Sequence, residues 1–266
     1  MISGSLVPRF DHIVIVMMEN KSDGDIVGNK DAGYINRLIG QSGVARDYYA
    51  VAHPSLPNYL ALIGGSTFGV NNDCTGCFQA ADSLIDKIEE SGRSWKAYME
   101  SMPEPCFVGS SGRYVQKHDP FIYFDSIRND EKRCNRIVPY SQLGTDLALR
   151  GTTPDFVWIS PNSCHDMHDC SVEVGDNWLS VEVPNILKSK AFAAQNSLLV
   201  ILWDEADNKN SNRVPIFLFG RAVKAGYASD VRYDHYSLLR TIEIAWGLSP
   251  LTKNDRNAST MQEFFK

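Results

Sequence analysis

The stretch Ser197-Leu198-Leu199-Val200-Ile201-Leu202-Trp203 is an unbroken apolar run that ends in two acidic residues, Asp204 and Glu205. A second run, His12 to Met18, has the same character and ends in Glu19-Asn20. Continuous apolar runs of this length, bounded by polar residues, are typical of strands buried on both faces of a parallel sheet. Each run therefore predicts a central strand that carries acidic or amide side chains at its carboxyl end.

Further strands are predicted to alternate with helices along the whole chain. The predicted strands besides the two central ones are 44–51, 94–98, 155–159 and 214–219, and the predicted helices are 34–39, 55–63, 81–91, 141–149, 177–188 and 236–246. This alternation predicts an α/β fold with a mostly parallel central sheet and helices on both faces. We expect one domain over residues 1–266, in which an irregular insertion around 101–136 folds over the site.

Composition limits the function classes. The 266 residues are 43% hydrophobic and 22% charged, with a net charge of −6, which argues against general nucleic-acid binding. No apolar run approaches the length of a transmembrane segment, and Met1 to Ser5 has no signal-peptide core. The protein is then either cytosolic or has lost a leader.

Six cysteines, all in polar and loop-like surroundings, favour a secreted or periplasmic protein with disulfides. Neighbourhood in the sequence suggests the pairs Cys74–Cys77, Cys106–Cys134 and Cys164–Cys170, although six cysteines allow fifteen pairings. A zinc site built on Cys74 and Cys77 is the alternative, but the spacing of Cys164 and Cys170 does not suit a second zinc-binding pair.

Ser55 is the candidate nucleophile. It lies in His53-Pro54-Ser55-Leu56-Pro57, where a proline-rich segment meets the start of an apolar helix. A helix N-terminus offers unpaired N–H groups and partial positive charge, which bind anions and stabilise an alkoxide. The alternative is that Ser55 only caps the helix.

The acidic clusters suggest a metal site. The carboxyl ends of parallel strands form one edge of the sheet, where sites of such folds lie. Tandem carboxylates there repel each other unless a cation lies between them. Oxygen ligands suit Mg²⁺, Ca²⁺ or Mn²⁺, and carboxylates also hold Zn²⁺. A solvated loop is the alternative for both clusters.

Histidines complete a set of groups suited to phosphoryl transfer. His165 and His168 flank Asp166 in a loop bounded by cysteines, and His118 lies in the insertion. A cation activates the serine hydroxyl and binds a phosphoryl oxygen, while histidines bind the other oxygens or protonate the leaving alcohol.

Several motifs in one order resemble the phosphoesterase family of acid phosphatases and bacterial phospholipases C, which belongs to the alkaline-phosphatase-like superfamily. The motifs lie within His12–Ser22, His53–Tyr59, Lys117–Phe121, Pro161–Cys170, Trp203–Glu205 and His235–Thr241. The match runs from about residue 9 to 250. Two departures are Asp23 and Gly24, which stand where the family commonly has an aromatic residue and an aspartate.

The resemblance implies an alkaline-phosphatase-like fold and a divalent metal ion (Mg, Ca, Mn or Zn). The implied metal ligands are Glu19, Asn20, Asp204 and Glu205, with Ser55 beside the metal as nucleophile. The implied catalytic partners are His118 and His168, which contact the phosphoryl group, and, as weaker candidates, Asp166, His165 and His53.

The first functional hypothesis is a secreted, metal-dependent acid phosphatase that works through a phosphoserine. The second is a phospholipase C or phosphodiesterase acting on phospholipid head groups. The family's phospholipases tend to carry a threonine nucleophile and a long carboxyl-terminal extension, so Ser55 favours the first. A binding module without catalytic activity is the third. The substrate is then a small phosphate monoester or a phospholipid head group, and the sequence leaves the oligomeric state open.

Overall fold

Two strands are buried along their whole length, as their apolar sequences predict: β1, His12–Met18, and β7, Ser197–Trp203. The structure is a computed structural model that describes residues 7–149, 151–207 and 211–266. Each side chain of these two strands faces another layer of the protein, which requires helices or loops to cover the sheet on both sides. The two strands lie next to each other, with Met18 opposite Trp203 at their carboxyl ends.

The other elements follow in chain order. The remaining strands are β2 Gly43–Ala45, β3 Tyr48–Tyr49, β4 Trp95–Met99, β5 Ile137–Pro139, β6 Phe156–Ser160, β8 Ile216–Gly220, β9 Ala228–Ser229 and β10 Tyr233–Asp234. The helices are α1 Asp23–Ile26, α2 Gly33–Leu38, α3 Ser55–Gly64, α4 Leu84–Glu90, α5 Asp125–Arg128, α6 Glu131–Cys134, α7 Leu143–Leu147, α8 Val172–Leu187, α9 Lys190–Ala194, α10 His235–Trp246 and α11 Lys253–Asn257.

Within the described ranges, eight strands form one sheet in the order β5-β4-β6-β1-β7-β8-β2-β9. All neighbours pair in parallel except β8, which is antiparallel to both β7 and β2. A small parallel ladder joins β3 to β10. The predicted α/β fold with a mostly parallel sheet is therefore confirmed. Helices pack around the sheet, and β1 lies at its centre between β6 and β7.

Two helix contacts fix the surroundings of the site. The carboxylate of Asp176 in α8 accepts hydrogen bonds from the backbone N–H groups of Tyr34 and Ile35 at 2.7 and 2.9 Å, and so anchors the start of α2. Helix α3 packs against α10. Helix α3 ends at Gly64 and is capped by Gly65, whose φ of 70° is the left-handed conformation that glycine adopts readily at helix ends.

The predicted strand 44–51 is wrong in one respect, because the chain leaves the large sheet at Arg46 and Asp47 and forms two short strands, β2 and β3. The backbone C=O of Asp47 accepts from Tyr233 N–H at 2.9 Å, which attaches β3 to β10 instead. This turn brings the hydroxyl of the buried Tyr48 to 3.0 Å from His235 Nδ1.

Helical spacing in the predicted helix 177–188 places Val181 on the inner side with Trp178 and Ile186, and this is wrong for Val181, since its side chain is 58% exposed. Helix α8 starts at Val172, five residues before the predicted start, and its buried side includes Leu179, Val183 and Ile186. At 100° per residue, Val181 points away from that side.

Segment 101–136 contains two 3₁₀ turns and the helices α5 and α6, so it has more regular structure than predicted. The cysteines pair as the sequence suggested, which removes the zinc alternative. The disulfides are Cys74–Cys77, Cys106–Cys134 and Cys164–Cys170. Across the described ranges, no helix has the length and apolar character needed to cross a lipid bilayer.

Candidate active site

Three parallel strands bring the acidic clusters together. Glu19 follows β1, Asp204 and Glu205 follow β7, and Asp166 lies in the loop after β6. Backbone hydrogen bonds join these ends: Glu19 N–H donates to Asp166 C=O at 2.8 Å, and Asp204 N–H donates to Met18 C=O at 3.0 Å. The clusters that the sequence predicted at separate strand ends therefore line one site.

Ser55 is the first residue of α3 and is 1% exposed. Its Oγ lies 3.0 Å from Glu19 Oε2 and 3.2 Å from Glu205 Oε1, so its hydroxyl can donate to either carboxylate. Pro54 precedes the helix in an extended conformation, and Pro57 lies in the first turn, where a missing N–H costs no intrahelical bond. The hydroxyl is thus held between the two acidic strand ends.

Glu19 is fully buried. Its Oε1 accepts a hydrogen bond from the hydroxyl of Tyr59, one helical turn after Ser55. The Nε2 of His118 lies 3.3 Å from the same oxygen, and the rings of Tyr59 and His118 stack with their centroids 5.7 Å apart. Glu19 therefore links the serine to the histidines.

Asp166 organises the two histidines. The Nδ1 of His118 lies 3.1 Å from Asp166 Oδ2, and the backbone N–H of His168 donates to Asp166 Oδ1 at 2.8 Å. The rings of His118 and His168 have centroids 5.6 Å apart. On its other side, His168 Nδ1 lies 2.7 Å from Asp169 Oδ1. Asp166, His118 and His168 therefore lie together, with His118 and His168 close to Glu19.

Two histidines and one backbone N–H group hold the acidic residues at the carboxyl end of β7. His53 Nδ1 pairs with Glu205 Oε2. Asp204 Oδ1 accepts from the backbone N–H of Asn20 at 2.9 Å, and the Asp204 carbonyl accepts from His235 Nε2 at 2.6 Å. These contacts fix both carboxylates, and they place Asn20 beside Asp204.

The buried acidic groups favour their protonated forms while no cation neutralises them. Burial, followed by the charges of Asp204 and Asp166, raises the pKa of Glu19 well above its ordinary value. Burial and neighbouring Glu205 raise the pKa of Asp204 to about 7. Burial likewise raises the pKa values of Asp166 and Glu205 to about 7. This concentration of buried carboxylates favours the binding of a cation at the site.

Burial and the charge of Lys117 lower the pKa of His118 to about 3, so its ring is neutral at physiological pH. A neutral imidazole offers one N–H and one lone pair. His118 is thus suited to binding or orientation rather than to carrying a proton to a leaving group.

A divalent cation fits these residues. Asp204 Oδ2 is buried and has no hydrogen-bond partner among the described residues. Carboxylate oxygens and neutral imidazoles are ordinary ligands of divalent metals. One ligand atom each from Glu19, His118 and His168 lies within 4.8 Å of the others, and this grouping shares only Glu19 with the predicted ligands. The site therefore offers two overlapping sets of donors.

His165 does not join this group. Its Nδ1 lies 2.9 Å from both carboxylate oxygens of Glu100, and its ring stacks on Trp178 with centroids 6.3 Å apart. The left-handed backbone of Met167, with φ 81°, separates it from His168. The resemblance implied a catalytic role for His165 as well, but the backbone at Met167 directs the two histidines to different surroundings.

Sequence reasoning missed Tyr59, Lys117 and Asp73. Tyr59 could have been found, because residues i and i+4 of a helix share a face and Ser55 lies four positions earlier. Lys117 precedes His118 directly; its Nζ lies 2.9 Å from Asp73 Oδ2 and 3.4 Å from His168 Nε2. Asp73 gave no signal, since polar loops contain many such residues.

Solved structures share the fold. A protein of the alkaline phosphatase superfamily from Vibrio parahaemolyticus aligns with a TM-score of 0.65 and 12% identity, over 93% of this chain and 69% of that one. A lipoteichoic acid synthase from Listeria monocytogenes aligns with a TM-score of 0.66 and 10% identity, over 94% and 76% of the two chains. These likenesses confirm the predicted alkaline-phosphatase-like fold.

Curated relatives cover nearly the whole chain. A phosphatidylinositol-3-phosphatase of Mycobacterium tuberculosis is 33% identical over 99% of this chain and 86% of its own length. A phosphate-repressible acid phosphatase of Penicillium chrysogenum is 31% identical over 95% of this chain, and an acid phosphatase of Aspergillus fumigatus is 28% identical over 95%. The chain spans 63% and 58% of the lengths of these two fungal relatives.

The family resemblance seen in the motifs is confirmed by a match to the model of the Phosphoesterase family over residues 29–249. Together with the acid phosphatases among the relatives, this match confirms the prediction of a phosphoric monoester hydrolase. The chain belongs to the phosphoesterase family.

Proposed function

We propose that this protein is a secreted, metal-dependent acid phosphatase that hydrolyses phosphate monoesters through a phosphoserine at Ser55. The observation that carries the proposal is the position of Ser55 Oγ, at the start of α3 and within 3.2 Å of the carboxylates of Glu19 and Glu205. Acid phosphatases among the relatives support a monoester as substrate.

In the first step, Ser55 Oγ attacks phosphorus and displaces the alcohol of the substrate. The serine proton passes to Glu205 or Glu19, whose oxygens already face the hydroxyl. The helix N-terminus offers positive potential to the phosphoryl oxygens.

The proposed metal ligands are Asp204, Glu205, Glu19 and Asn20, with Ser55 beside them. A divalent ion bound there would lower the pKa of the serine hydroxyl and neutralise charge on the phosphoryl group. Asn20 is included because its backbone is fixed on Asp204. The grouping of Glu19 with His118 and His168 is the competing set of donors.

We assign the protonation of the leaving alcohol to His168, which is partly exposed and has Nδ1 held by Asp169. His118, neutral and buried, contacts the phosphoryl group: protonated Asp166 donates from Oδ2 to His118 Nδ1, which leaves the N–H on Nε2 to donate to a phosphoryl oxygen. His165 has no part in the mechanism. Water then attacks phosphorus from the side the alcohol left and gives a proton to His168, while the Ser55 oxygen regains its proton from the carboxylate and phosphate is released.

Secretion is proposed from the three disulfides, which persist in oxidising compartments. The substrate class is a small phosphate monoester or a phosphorylated lipid head group. The phosphorylated lipid head group is included because one relative is named as a phosphatidylinositol-3-phosphatase. Assays with p-nitrophenyl phosphate, its choline ester and phosphatidylinositol 3-phosphate distinguish a monoesterase from a phospholipase C or phosphodiesterase.

The covalent mechanism is tested by acid quench during turnover of p-nitrophenyl phosphate, followed by peptide mass spectrometry. We expect phosphate on Ser55 and net retention of configuration at a chiral phosphate. Ser55→Ala should lose nearly all activity and keep its fold. Ser180→Ala, which removes a serine of α8 bonded to Asn177 C=O, is the control and should stay active. Turnover by Ser55→Ala at the wild-type rate would refute the mechanism.

The ligand set is tested by the metal content of variants. Asp204→Ala should lose both the bound metal and activity, because Asp204 Oδ2 is a buried oxygen without a hydrogen-bond partner among the described residues. His118→Ala should keep the metal and lose activity. Loss of metal from His118→Ala together with retention by Asp204→Ala would show that the competing set holds the ion.

A further inference from the structure

The carboxylate of Asp73 connects the start of the nucleophile's helix to a lysine. Its Oδ1 accepts a hydrogen bond from the backbone N–H of Leu56, the residue after Ser55, at 3.1 Å. Its Oδ2 accepts from Lys117 Nζ at 2.9 Å. The mechanism above uses neither Asp73 nor Lys117, although both lie against its central residues.

The ammonium of Lys117 faces the cluster, since it lies 3.4 Å from His168 Nε2 and its side chain is only 18% exposed. Lys21, another lysine beside the site, is bonded to the backbone: its Nζ donates to the carbonyls of Asn20 at 3.0 Å and Met167 at 2.8 Å. An ammonium has three N–H donors, so Lys117 retains donors for an anion after bonding to one carboxylate.

The loop that carries this carboxylate is fixed to the insertion. A disulfide closes it between Cys74 and Cys77. Gln116 Nε2 donates to the carbonyl of Thr75 at 2.8 Å, and the Tyr123 hydroxyl donates to the carbonyl of Cys74 at 3.0 Å. The loop and the lysine's own segment are thus held as one unit, so that the carboxylate has a set place from which to orient the ammonium.

We propose that Lys117 binds the phosphoryl group of the substrate and that Asp73 is the positioning residue that holds Lys117 at the first turn of α3. The proposal rests on the proposed function, because it assumes a phosphoryl group beside Ser55. A phosphoryl dianion forms strong charge-assisted bonds with an ammonium. Asp73, anchored on Leu56 N–H, ties the position of that ammonium to the position of the nucleophile.

The test is calorimetric titration of the metal-loaded protein with inorganic phosphate, which needs no turnover, together with kcat and KM for p-nitrophenyl phosphate. Lys117→Met should weaken phosphate binding by about 10–100-fold and lower kcat/KM at least as much. Lys117→Arg should restore part of both. Asp73→Asn should raise KM and weaken phosphate binding less than Lys117→Met does.

The matched control is Lys96→Met. Lys96 Nζ lies 2.8 Å from Asp146 Oδ2, and its side chain is 23% exposed, so it is a lysine–aspartate pair of similar burial elsewhere in the fold. The Lys96→Met variant should bind phosphate as tightly as the wild type does.

Wild-type phosphate affinity in folded Lys117→Met would overturn the proposal, and should that variant unfold, wild-type affinity in Lys117→Gln would do so. A lowered unfolding temperature in Asp73→Asn, with KM and phosphate affinity unchanged, would reduce Asp73 to a structural residue. Failure of the proposed function is a separate result: Ser55→Ala would then remain active.

Discussion

Replacing Tyr59 by phenylalanine removes one oxygen atom from the site and leaves its packing in place. The Tyr59 hydroxyl donates to Glu19 Oε1, and both residues are fully buried. This hydrogen bond favours the ionised carboxylate and holds the pKa of Glu19 lower than burial alone would set it. In Tyr59→Phe the pKa of Glu19 therefore rises further.

A hydrogen bond to a charged group contributes about 1.5–3 kcal/mol. Since about 1.36 kcal/mol corresponds to a tenfold change, Tyr59→Phe should weaken metal binding by about 10–150-fold near neutral pH. Binding requires ionised Glu19, so the loss should shrink as pH rises. The measurement is calorimetric titration of the chelator-treated protein with a divalent metal at several pH values.

Tyr123→Phe is the control, because it removes a buried hydroxyl that donates to the carbonyl of Cys74 at 3.0 Å, outside the carboxylate cluster. Its metal affinity should equal that of the wild type. If Tyr59→Phe binds metal as tightly as Tyr123→Phe at every pH, Glu19 is not a metal ligand and this reasoning is refuted.

Three further predictions concern other parts of the molecule. His165→Ala should keep activity within about threefold, whereas His118→Ala should lose about 10²–10⁴ in kcat; equal losses would contradict the separation of these histidines. Replacing both Cys106 and Cys134 by serine should lower the free energy of unfolding by about 3.5 kcal/mol in denaturant titrations, because the bridge spans 28 positions. Burial raises the pKa of Glu243 from 4.5 to about 8. The free energy of unfolding therefore falls as pH rises from 4.5 to about 8. In urea unfolding, Glu243→Gln should lose less of this free energy over that pH range than the wild type does.

The fold was predictable because its central strands are apolar throughout. A run such as Val14 to Met18 has no polar face, and only a strand covered on both sides can bury it. The split of 44–51 was not predictable, since it depends on Asp47 bonding to a strand 186 positions later in the chain. Local sequence carries no information about such a partner.

For the site, residue type and position at strand ends were sufficient for Glu19, Asp204 and Glu205. They were not sufficient to predict the direction of side chains in loops, as His165 shows. Three positions from His168, it meets Glu100 instead, because the direction of each side chain depends on the backbone conformation of Met167. Asp73 required tertiary structure altogether, since only folding brings it to Leu56 N–H.

The central position of β1 also bears on how the enzyme gains activity during folding. Its neighbours β6 and β7 pair Ile13 with Phe156 and His12 with Ser197, across more than half of the chain. Contacts between such distant segments form slowly, because a long loop must close before they contribute any stabilisation. Catalytic activity is therefore expected to return last during refolding, after helical signals have recovered, and to serve as a sensitive reporter of complete folding.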